Sequence, residues 1–325
     1  MTKFSARIIG IVLAVIIVLA TLSFSACNPK PQSDYYQIVL LSDTHLPTKK
    51  FEMGDKTKQE RIIAAKNKVV DDVNNWQDVG EIAVLGDIVG DTGTPEEYAY
   101  AAQYFVRFKK PVSLIVGNHD YIYQDAPGSN GRYAKGDAAS RAAKLQRFKE
   151  TFGLSELFYA KKTGNYLLVF LSADSLDSKH ITQISEKQLA WLRETLRNNS
   201  SLAAIIFFHA PLANTLSHYN KNANTPNFIA QPVNKIDEII KENPQIVLWV
   251  SGHTHTPASN PEYASDINYY DGRVLNIHNS DMNREVIWTN SLFLYPDKIV
   301  IKTFNHKDET WMNELERTVR IAKAG

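Results

Sequence analysis

Residues 36–45 read YQIVLLSDTH, a largely apolar run that ends abruptly in Asp43 and His45. Four later segments repeat this form, each rich in Val, Ile, Leu or Phe and each ending in residues able to bind a metal: EIAVLGD at 81–87, VSLIVGNHD at 112–120, LAAIIFFH at 202–209 and QIVLWVSGHTH at 245–255. Short continuous apolar runs are typical of strands covered on both faces of a sheet. Because segments with helical spacing lie between the runs, the pattern predicts an α/β fold with two stacked mixed sheets flanked by helices.

The polar ends of the five runs predict one shared site. Ligands of open α/β sheets bind beyond the carboxyl ends of the strands, where residues that are distant in sequence meet at one edge. Side chains two residues apart on a strand point the same way, so Asp43 and His45 should reach one ion. His253 and His255 should do the same if the chain stays extended there. Asp87 stands alone at its strand end, which makes it the natural carboxylate to bridge two ions.

The residue types in these motifs indicate metal-dependent phosphate chemistry. Carboxylates and imidazoles suit Mn, Fe, Zn, Co or Ni, and the motifs contain no thiolate. Two such divalent ions, about 3.5–4 Å apart, can clamp a phosphate and hold a hydroxide that attacks it. The leaving group then needs a proton. His119 is the candidate general acid, because the neighbouring Asp120 would hold its imidazole in one tautomer and favour the protonated form.

The five motifs, in this order and over residues 43–255, resemble those of the calcineurin-like metallophosphoesterase superfamily. The resemblance implies a four-layer αββα sandwich that hydrolyses phosphate mono- or diesters with a hydroxide bridging two divalent metal ions. It also implies that His119 and Asp120 assist catalysis without binding metal. The implied ligands of one ion are Asp43, His45, Asp87 and His255, and those of the other are Asp87, Asn118, His209 and His253.

Departures from related branches narrow the resemblance. The purple acid phosphatases carry a tyrosine where this chain has Gly90, and they replace the first-motif histidine that is kept here as His45. A tyrosinate-bound ferric site is therefore not expected. The acyl-sugar nucleotide pyrophosphatases usually have another residue where His119 stands, so that branch is disfavoured as well.

A non-catalytic role is the alternative hypothesis. Some members of the superfamily keep the fold but have lost ligands, and they serve as protein-binding scaffolds. This chain retains every ligand of the five motifs, which favours a hydrolase. A metal-bound, non-catalytic binding module on the cell surface is the alternative, and a panel of phosphate mono- and diesters would separate the two.

Two long segments that follow strand ends are expected to be loops that shape the substrate pocket. In the first, at residues 121–133, Arg132 is predicted to pair with a phosphate and Tyr121 to stack on a base or sugar. An exposed surface position would suit Arg132 equally well. The second segment, at residues 211–231, is expected to form a lid or rim.

The remaining patterns predict further helices and strands. Helical spacing covers residues 57–76, 95–108, 137–152, 185–198 and 232–243, and a hairpin is predicted over 159–173. Strands are predicted at 274–277, 286–289, 292–295 and 299–304. The segment 309–321 combines a four-residue period, typical of helix, with an alternation typical of strand, so both remain open. His180 and His306 lie outside all motifs and are expected to be solvated loop residues.

The N-terminal segment predicts export. Lys3 and Arg7 precede a nearly pure aliphatic stretch at residues 8–20, and the sole cysteine, Cys27, falls at the cleavage position. This resembles a bacterial lipobox, so Cys27 is expected to be lipidated and to anchor the protein in the cell membrane, with its domain on the extracytoplasmic side. An uncleaved membrane helix is the alternative. The predicted division is a signal peptide at 1–27, a tether at 28–34, a phosphoesterase domain at 35–305 and a C-terminal extension at 306–325 that packs on the domain or continues it.

The charge balance argues against polyanionic partners. Removal of Lys3 and Arg7 with the signal peptide leaves 34 of the 36 basic residues against 35 acidic ones. The mature chain therefore has no basic excess that would favour nucleic acid or an anionic membrane surface. A small phosphorylated substrate is the expected partner, and neither a nucleic-acid nor a protein partner is indicated.

Overall fold

Two mixed β-sheets stacked face to face, with helices on their outer faces, make up the fold. The computed structural model describes residues 34–49, 55–129, 131–217 and 222–321. These stacked sheets and outer helices confirm the predicted α/β architecture. The predicted signal peptide with Cys27 and most of the predicted tether lie outside the described residues. Within the described ranges, no helix combines the length and the apolar character needed to cross a membrane.

The first sheet has seven strands and contains the first three motif strands side by side. Its order is β14-β13-β12-β1-β2-β3, with β15 also paired to β13, and β1, β2 and β3 run parallel. The strands are β1 (Tyr36–Leu41), β2 (Val79–Val84), β3 (Val112–Leu114), β12 (Trp288–Leu294), β13 (Lys298–Asn305), β14 (Thr310–Trp311) and β15 (Arg317–Arg320). The carboxyl ends of β1, β2 and β3 consequently lie at one edge.

The second sheet has six strands in the order β10-β11-β9-β8-β7-β6. Its strands are β6 (Tyr159–Thr163), β7 (Tyr166–Phe170), β8 (Ala203–Phe207), β9 (Ile246–Ser251), β10 (Tyr269–Tyr270) and β11 (Val274–His278). The neighbours β7, β8, β9 and β11 are parallel, so the last two motif strands, β8 and β9, also end together. A separate hairpin is formed by β4 (Tyr123–Pro127) and β5 (Tyr133–Lys135).

Alternation along the strands divides the core into layers. In β1, Ile38 and Leu40 are buried between the two sheets, whereas Val39 and Leu41 are buried on the helical side. The helices are α1 (Lys56–Asn75), α2 (Pro95–Phe105), α3 (Asn118–Tyr121), α4 (Ala138–Phe152), α5 (Glu186–Arg197) and α6 (Val233–Glu242). Both faces of the strands are therefore covered, which explains why the motif runs are apolar at nearly every position.

Side-chain capping is reciprocal at the start of α2 and one-sided at the start of α5. The Thr94 hydroxyl accepts from the Glu97 N–H, and the Glu97 side chain accepts from the Thr94 N–H, which is a full capping box. Ser185 likewise caps α5 by accepting from the Gln188 N–H. The Gln188 side chain, however, bonds to the main chain of Ser172 instead, so it ties α5 to the end of β7.

The C-terminal region is mainly strand, with one short 3₁₀ helix at Asn313–Leu315. The expected strands at 286–289 and 292–295 are one continuous strand, β12, and the undecided segment 309–321 contributes β14 and β15. Val319 alternates with exposed neighbours and packs against the inter-sheet core. Trp311 packs on Trp76 and Phe304, with ring centroids 5.4 and 5.0 Å apart. Sheet pairing with β13 therefore decides between the two local patterns.

His306 is not the solvated loop residue that the sequence predicts. It is 2% exposed. Its Nδ1 lies 2.8 Å from the Asp72 carboxylate and its Nε2 lies 2.9 Å from the Thr289 hydroxyl. The ring stacks on Trp76 at 5.9 Å between centroids. The residue is part of the packing between α1 and the first sheet, which no local sequence pattern reveals.

The buried His278 should make the stability of the protein depend on pH. Burial lowers the pKa of His278 to about 3, and its Nε2 donates to the Thr215 carbonyl at 3.1 Å. Since the unfolded chain binds the proton near pH 6.5, the free energy of unfolding should fall as the pH falls from about 6.5 towards 3. In His278→Gln, the free energy of unfolding should depend less steeply on pH, by up to about 1.4 kcal/mol per pH unit.

Urea denaturation of both proteins at several pH values between 4.5 and 7 measures this difference. The same substitution at the more accessible His180 serves as the matched control. Equal slopes for His278→Gln and the unmodified protein would show that His278 is not held neutral in the fold.

Candidate metal centre

The predicted ligands sit on turns, not on extended strand ends. Five of them have backbone φ angles in the left-handed region: Asp43 (48°), His45 (41°), Asp87 (50°), His253 (65°) and His255 (52°). Non-glycine residues seldom adopt this conformation, which costs on the order of 1–3 kcal/mol each. The expectation that each pair lies along an extended strand is therefore wrong. The side chains meet because each strand ends in a strained turn, and such strain is typical of functional sites.

Two glycines allow the ligand loops to approach one another. A Cβ at Gly252 would lie 2.3 Å from Oδ2 of Asp43, and a Cβ at Gly117 would lie 2.4 Å from Oδ1 of Asp87. Both distances are far below van der Waals contact. Only glycine leaves room for these carboxylates, so the backbone itself forms part of the wall around them.

The structure brings the seven predicted ligands into two overlapping clusters. Ligand atoms of the first cluster, Asp43, His45, Asp87 and His255, lie within 4.8 Å of one another, and so do those of the second, Asp87, His209 and His253. Oδ1 of Asn118 joins the second cluster at 3.1 Å from Nε2 of His209. Asp87 belongs to both clusters and is 2% exposed. Its position between the two sets is the one expected of a bridging carboxylate.

The protonation of the histidines shows that the site fits a cation. Nδ1 of His209 lies 2.8 Å from the Leu85 carbonyl, and Nε2 of His253 lies 2.8 Å from the Asn227 carbonyl. A carbonyl can only accept, so these nitrogens carry the protons. The remaining nitrogens, Nε2 of His209 and Nδ1 of His253, face each other across 3.0 Å, and with both rings neutral their lone pairs would repel. A cation between them would satisfy both.

The electrostatics of the second cluster also favour positive charge. Burial alone would lower the pKa of His209, but the Asp87 carboxylate, 3.3 Å away, raises it to about 9. Conversely, although burial opposes ionisation of Asp87, His209 holds the pKa of that carboxyl well below its usual range. The protein alone thus draws a proton to the place where a metal ion would provide the positive charge.

His119 is held by the main chain, not by the neighbouring carboxylate. Its ring nitrogen Nδ1 lies 2.6 Å from the Asp91 carbonyl. Its main-chain N–H donates to Oδ1 of Asp87 at 2.8 Å. Burial lowers the pKa of His119, against the opposing charge of Asp87, and the Lys49 ammonium lowers it further. The expectation that Asp120 fixes the His119 tautomer and favours its protonated form is therefore wrong.

Asp120 instead joins two ligand loops. Its Oδ1 accepts from the N–H groups of Ile88 and Val89, and its Oδ2 accepts from the N–H of Gly117. These contacts hold the turn after β2, which carries Asp87, against the turn after β3. Burial and the nearby Asp87 raise the pKa of Asp120 to about 7. Asp120 is a positioning residue for the ligand loops.

A cavity of about 500 Å³ opens onto the clusters. Its lining includes the predicted site residues Asp87, Asn118, His119, His253 and His255. The other lining residues are Lys49, Tyr123, Ile181, Phe228, Thr254 and Arg284. Phe228 belongs to the segment 211–231, so part of that segment does form the rim of the site.

The two predicted substrate-binding residues do not reach this cavity. Tyr121 is fully buried at the end of α3, and its hydroxyl donates to the Ser175 carbonyl at 3.2 Å. Arg132 is exposed beside the β4–β5 hairpin and is not part of the cavity lining. The segment 121–133 is thus largely a helix end and a hairpin, and Tyr123 is the aromatic residue that it presents to the site.

Sequence reasoning missed two cations at the site. Lys49 is 7% exposed and lines the cavity, and together with burial its charge lowers the pKa of His45. Arg284 donates to the His255 carbonyl at 2.6 Å and pairs with Asp281. The position of Lys49, in the loop that carries His45, is a signal that could have indicated it. Arg284 follows β11 and belongs to no motif.

Comparisons with known proteins agree with this geometry. A family model described as calcineurin-like phosphoesterase matches residues 36–257. The uncharacterized protein YvnB of Bacillus subtilis (strain 168) is 25% identical over 230 residues, which is 70% of this chain and 16% of that protein. The chain therefore spans only about a sixth of that relative's length.

Solved structures with this fold include both enzymes and a protein named as an anchor. A dimetal phosphatase from Danio rerio has a TM-score of 0.58 and 14% identity, with 88% of this chain and 99% of that chain covered. Purple acid phosphatase PPD1 from yellow lupin (Lupinus luteus) has a TM-score of 0.55 and 12% identity, with 88% and 54% covered. GAP50, the anchor in the inner membrane complex of Plasmodium, has a TM-score of 0.56 and 12% identity, with 89% and 90% covered.

At these identities the structural likeness shows the shared fold alone. The family model, in contrast, covers more than half of the chain and contains all five motifs. The chain therefore belongs to the calcineurin-like phosphoesterase family.

Proposed function

We propose that the protein hydrolyses a small phosphorylated substrate with two divalent metal ions that share Asp87. The observation that carries this proposal is the membership of Asp87 in both ligand clusters. The ions, with Mn, Fe, Zn, Co or Ni as candidates, supply Lewis acidity that makes water nucleophilic near neutral pH and neutralises charge on the phosphoryl oxygens. Asp43, His45, Asp87 and His255 would hold one ion, and Asp87, Asn118, His209 and His253 the other.

His119 supplies the proton for the leaving group. The Asp91 carbonyl occupies Nδ1, which leaves Nε2 as the ring nitrogen available for proton transfer, and His119 lines the cavity. The proton for the leaving group is thus the second proton of the charged ring, on Nε2, and burial, by lowering the pKa of His119, makes this charged ring a stronger acid. The hydrogen bond from the main-chain N–H of His119 to Oδ1 of Asp87 fixes the position of His119 relative to the carboxylate that would hold both ions. His119 is thus positioned to act as the general acid.

The cavity lining has a positively charged part and an apolar part. Lys49 and Arg284 provide positive charge that would attract the phosphate and hold its oxygens. Tyr123, Ile181 and Phe228 provide an aromatic and aliphatic wall for an attached organic group. Tyr123 lies next to the general acid, with ring centroids 5.1 Å apart, so the leaving group would meet this wall.

Metal removal is expected to abolish hydrolysis. Protein stripped with a chelator should lose turnover of both p-nitrophenyl phosphate and bis(p-nitrophenyl) phosphate, because the proposed reaction depends on metal ions to activate water. Re-addition of one of the five candidate metals should restore it. Elemental analysis of the stripped sample and circular dichroism control for residual metal and for unfolding.

Two outcomes would contradict the proposal. Full activity in protein shown to be metal-free would rule out metal-dependent hydrolysis. Silence with every candidate metal bound, across mono- and diesters, would favour the metal-bound, non-catalytic binding module instead.

A further inference from the structure

A second cavity adjoins the reaction cavity. Its volume is about 510 Å³, close to the 500 Å³ of the reaction cavity, and the two share His255 and Arg284 in their walls. The other lining residues are Lys58, Asp281, Asn283, Glu285, Val286 and Trp288. None of these six belongs to the predicted metal ligands. The protein therefore has room beside the metal centre for more of a substrate than the phosphoryl group.

The second cavity lies on the side away from the general acid. A chain of ring contacts runs from Tyr123 to His119 at 5.1 Å, from His119 to His45 at 5.1 Å and from His45 to His255 at 5.3 Å. Tyr123 and His119 lie at one end of this chain, and His255, in the wall shared with the second cavity, is at the other. A leaving group near His119 and a group in the second cavity would thus contact different ends of this chain.

Two cations, Lys58 and Arg284, and two carboxylates, Asp281 and Glu285, line the second cavity, and Arg61, which is bound to Glu285, adds a third cation beside it. Its two carboxylates are each matched by an arginine, since Asp281 pairs with Arg284 and Glu285 accepts from Arg61 at 2.8 and 3.2 Å. The ammonium of Lys58 adds a further positive charge to the lining. This excess favours an anionic ligand.

Two features make the cavity suited to a planar group. Arg284 is held in place because its guanidinium also donates to the His255 carbonyl at 2.6 Å. Trp288, which is partly buried, and Val286 add apolar surface to the same lining. A flat ring can pack on an indole, and an attached anion could then reach a cation at the edge of the ring.

We propose that the second cavity, hereafter the Trp288 subsite, binds a planar substituent of the substrate that carries a second negative charge. The inference rests on the proposed function, because it places this substituent on the phosphate that the metal centre cleaves. The negative charge is a carboxylate or a second phosphate attached to a ring. The preferred substrates are thus phosphate esters that carry a ring directed towards Arg284 and Lys58.

Binding of non-hydrolysable phosphonates to the Mn²⁺-loaded protein tests the subsite without turnover. Isothermal titration should show 3-carboxyphenylphosphonate binding about tenfold more tightly than phenylphosphonate. Benzene-1,3-diphosphonate is the third probe, and its affinity relative to the carboxylate shows which anion the subsite prefers. Lys58→Gln should remove most of the gain, while Trp288→Ala should weaken all three probes.

Lys56→Gln is the matched control. Lys56 lies on the same first turn of α1 and is exposed but does not line the cavity. The Lys58 N–H that donates to the helix-capping Asp55 belongs to the main chain, so Lys58→Gln keeps the cap. Lys56→Gln should retain the full preference. Equal affinities of the unmodified protein for the carboxylated and plain phosphonates, or an unchanged preference in Lys58→Gln, would overturn the subsite.

A kinetic comparison separates the subsite from the hydrolytic activity. p-Nitrophenyl 3-carboxyphenyl phosphate and p-nitrophenyl phenyl phosphate release the same p-nitrophenolate. Any contribution of His119 to the departure of the leaving group is therefore the same for both substrates. The unmodified protein should prefer the carboxylated diester about tenfold in kcat/KM, and Lys58→Gln should lose this preference, whereas Lys56→Gln should keep both the preference and the activity on the plain diester. No turnover of either diester, together with the expected pattern of phosphonate binding, would refute the hydrolysis and leave the subsite standing.

Discussion

Replacing Asp87 by asparagine is expected to lower kcat by about 10³-fold or more and to remove at least one metal ion from the protein. Asp87 is the residue that the two ligand clusters share. Asparagine keeps the shape, and its carbonyl oxygen can still accept from the His119 N–H, but it brings no negative charge to either ion. The measurement is the metal content by elemental analysis together with kcat on the best substrate.

Asp91→Asn is the control for this experiment. Asp91 follows Asp87 in the same loop but lies outside both clusters, and the substitution keeps the main-chain carbonyl that holds His119. Its metal content and turnover should stay close to those of the unmodified protein. Two bound ions and undiminished turnover in Asp87→Asn would show that the carboxylate does not bridge the metals.

His119→Ala is expected to reduce turnover by about 10²–10⁴-fold for an ester with an alkoxide leaving group, and far less for the matching p-nitrophenyl ester. An alkoxide must be protonated as the bond breaks, whereas p-nitrophenolate leaves without a proton. Both metal ions should remain bound, because the proposed ligands do not include His119. Steady-state rates with both esters at saturating metal give the comparison.

His180→Ala serves as the control, since His180 lies outside the reaction cavity. It should leave both rates nearly unchanged. An equal loss for the two leaving groups in His119→Ala would mean that His119 acts on binding or on the metal centre and not as the general acid.

The convergence of the candidate ligands could be predicted from the sequence because each stands at the end of an apolar run. Parallel strands in one sheet bring their carboxyl ends together, so residues as distant as Asp43 and His255 were expected to meet. The left-handed turns at these positions could not be predicted. A strained φ is imposed by the packing of neighbouring loops, as at Gly252 beside Asp43, and leaves no local pattern.

The residues around the candidate ligands were predicted less well. The partner that holds His119 is the Asp91 carbonyl, and a main-chain group can be supplied by any residue type. Arg284 reaches the cavity from a loop that carries no motif, and Lys49 lies beyond the end of the first motif. Tyr121 follows the third motif closely, yet its position in the one-turn helix α3 directs it into the core. Side-chain direction within such a short element depends on tertiary packing.

Crystals of the protein grown with Mn²⁺, with anomalous scattering measured near the manganese edge, would show whether two metal ions share Asp87. We expect two manganese peaks about 3.5–4 Å apart, both in contact with the Asp87 carboxylate, with His45 and His255 at one and His209 and His253 at the other. A single peak, or two peaks of which only one contacts Asp87, would contradict it.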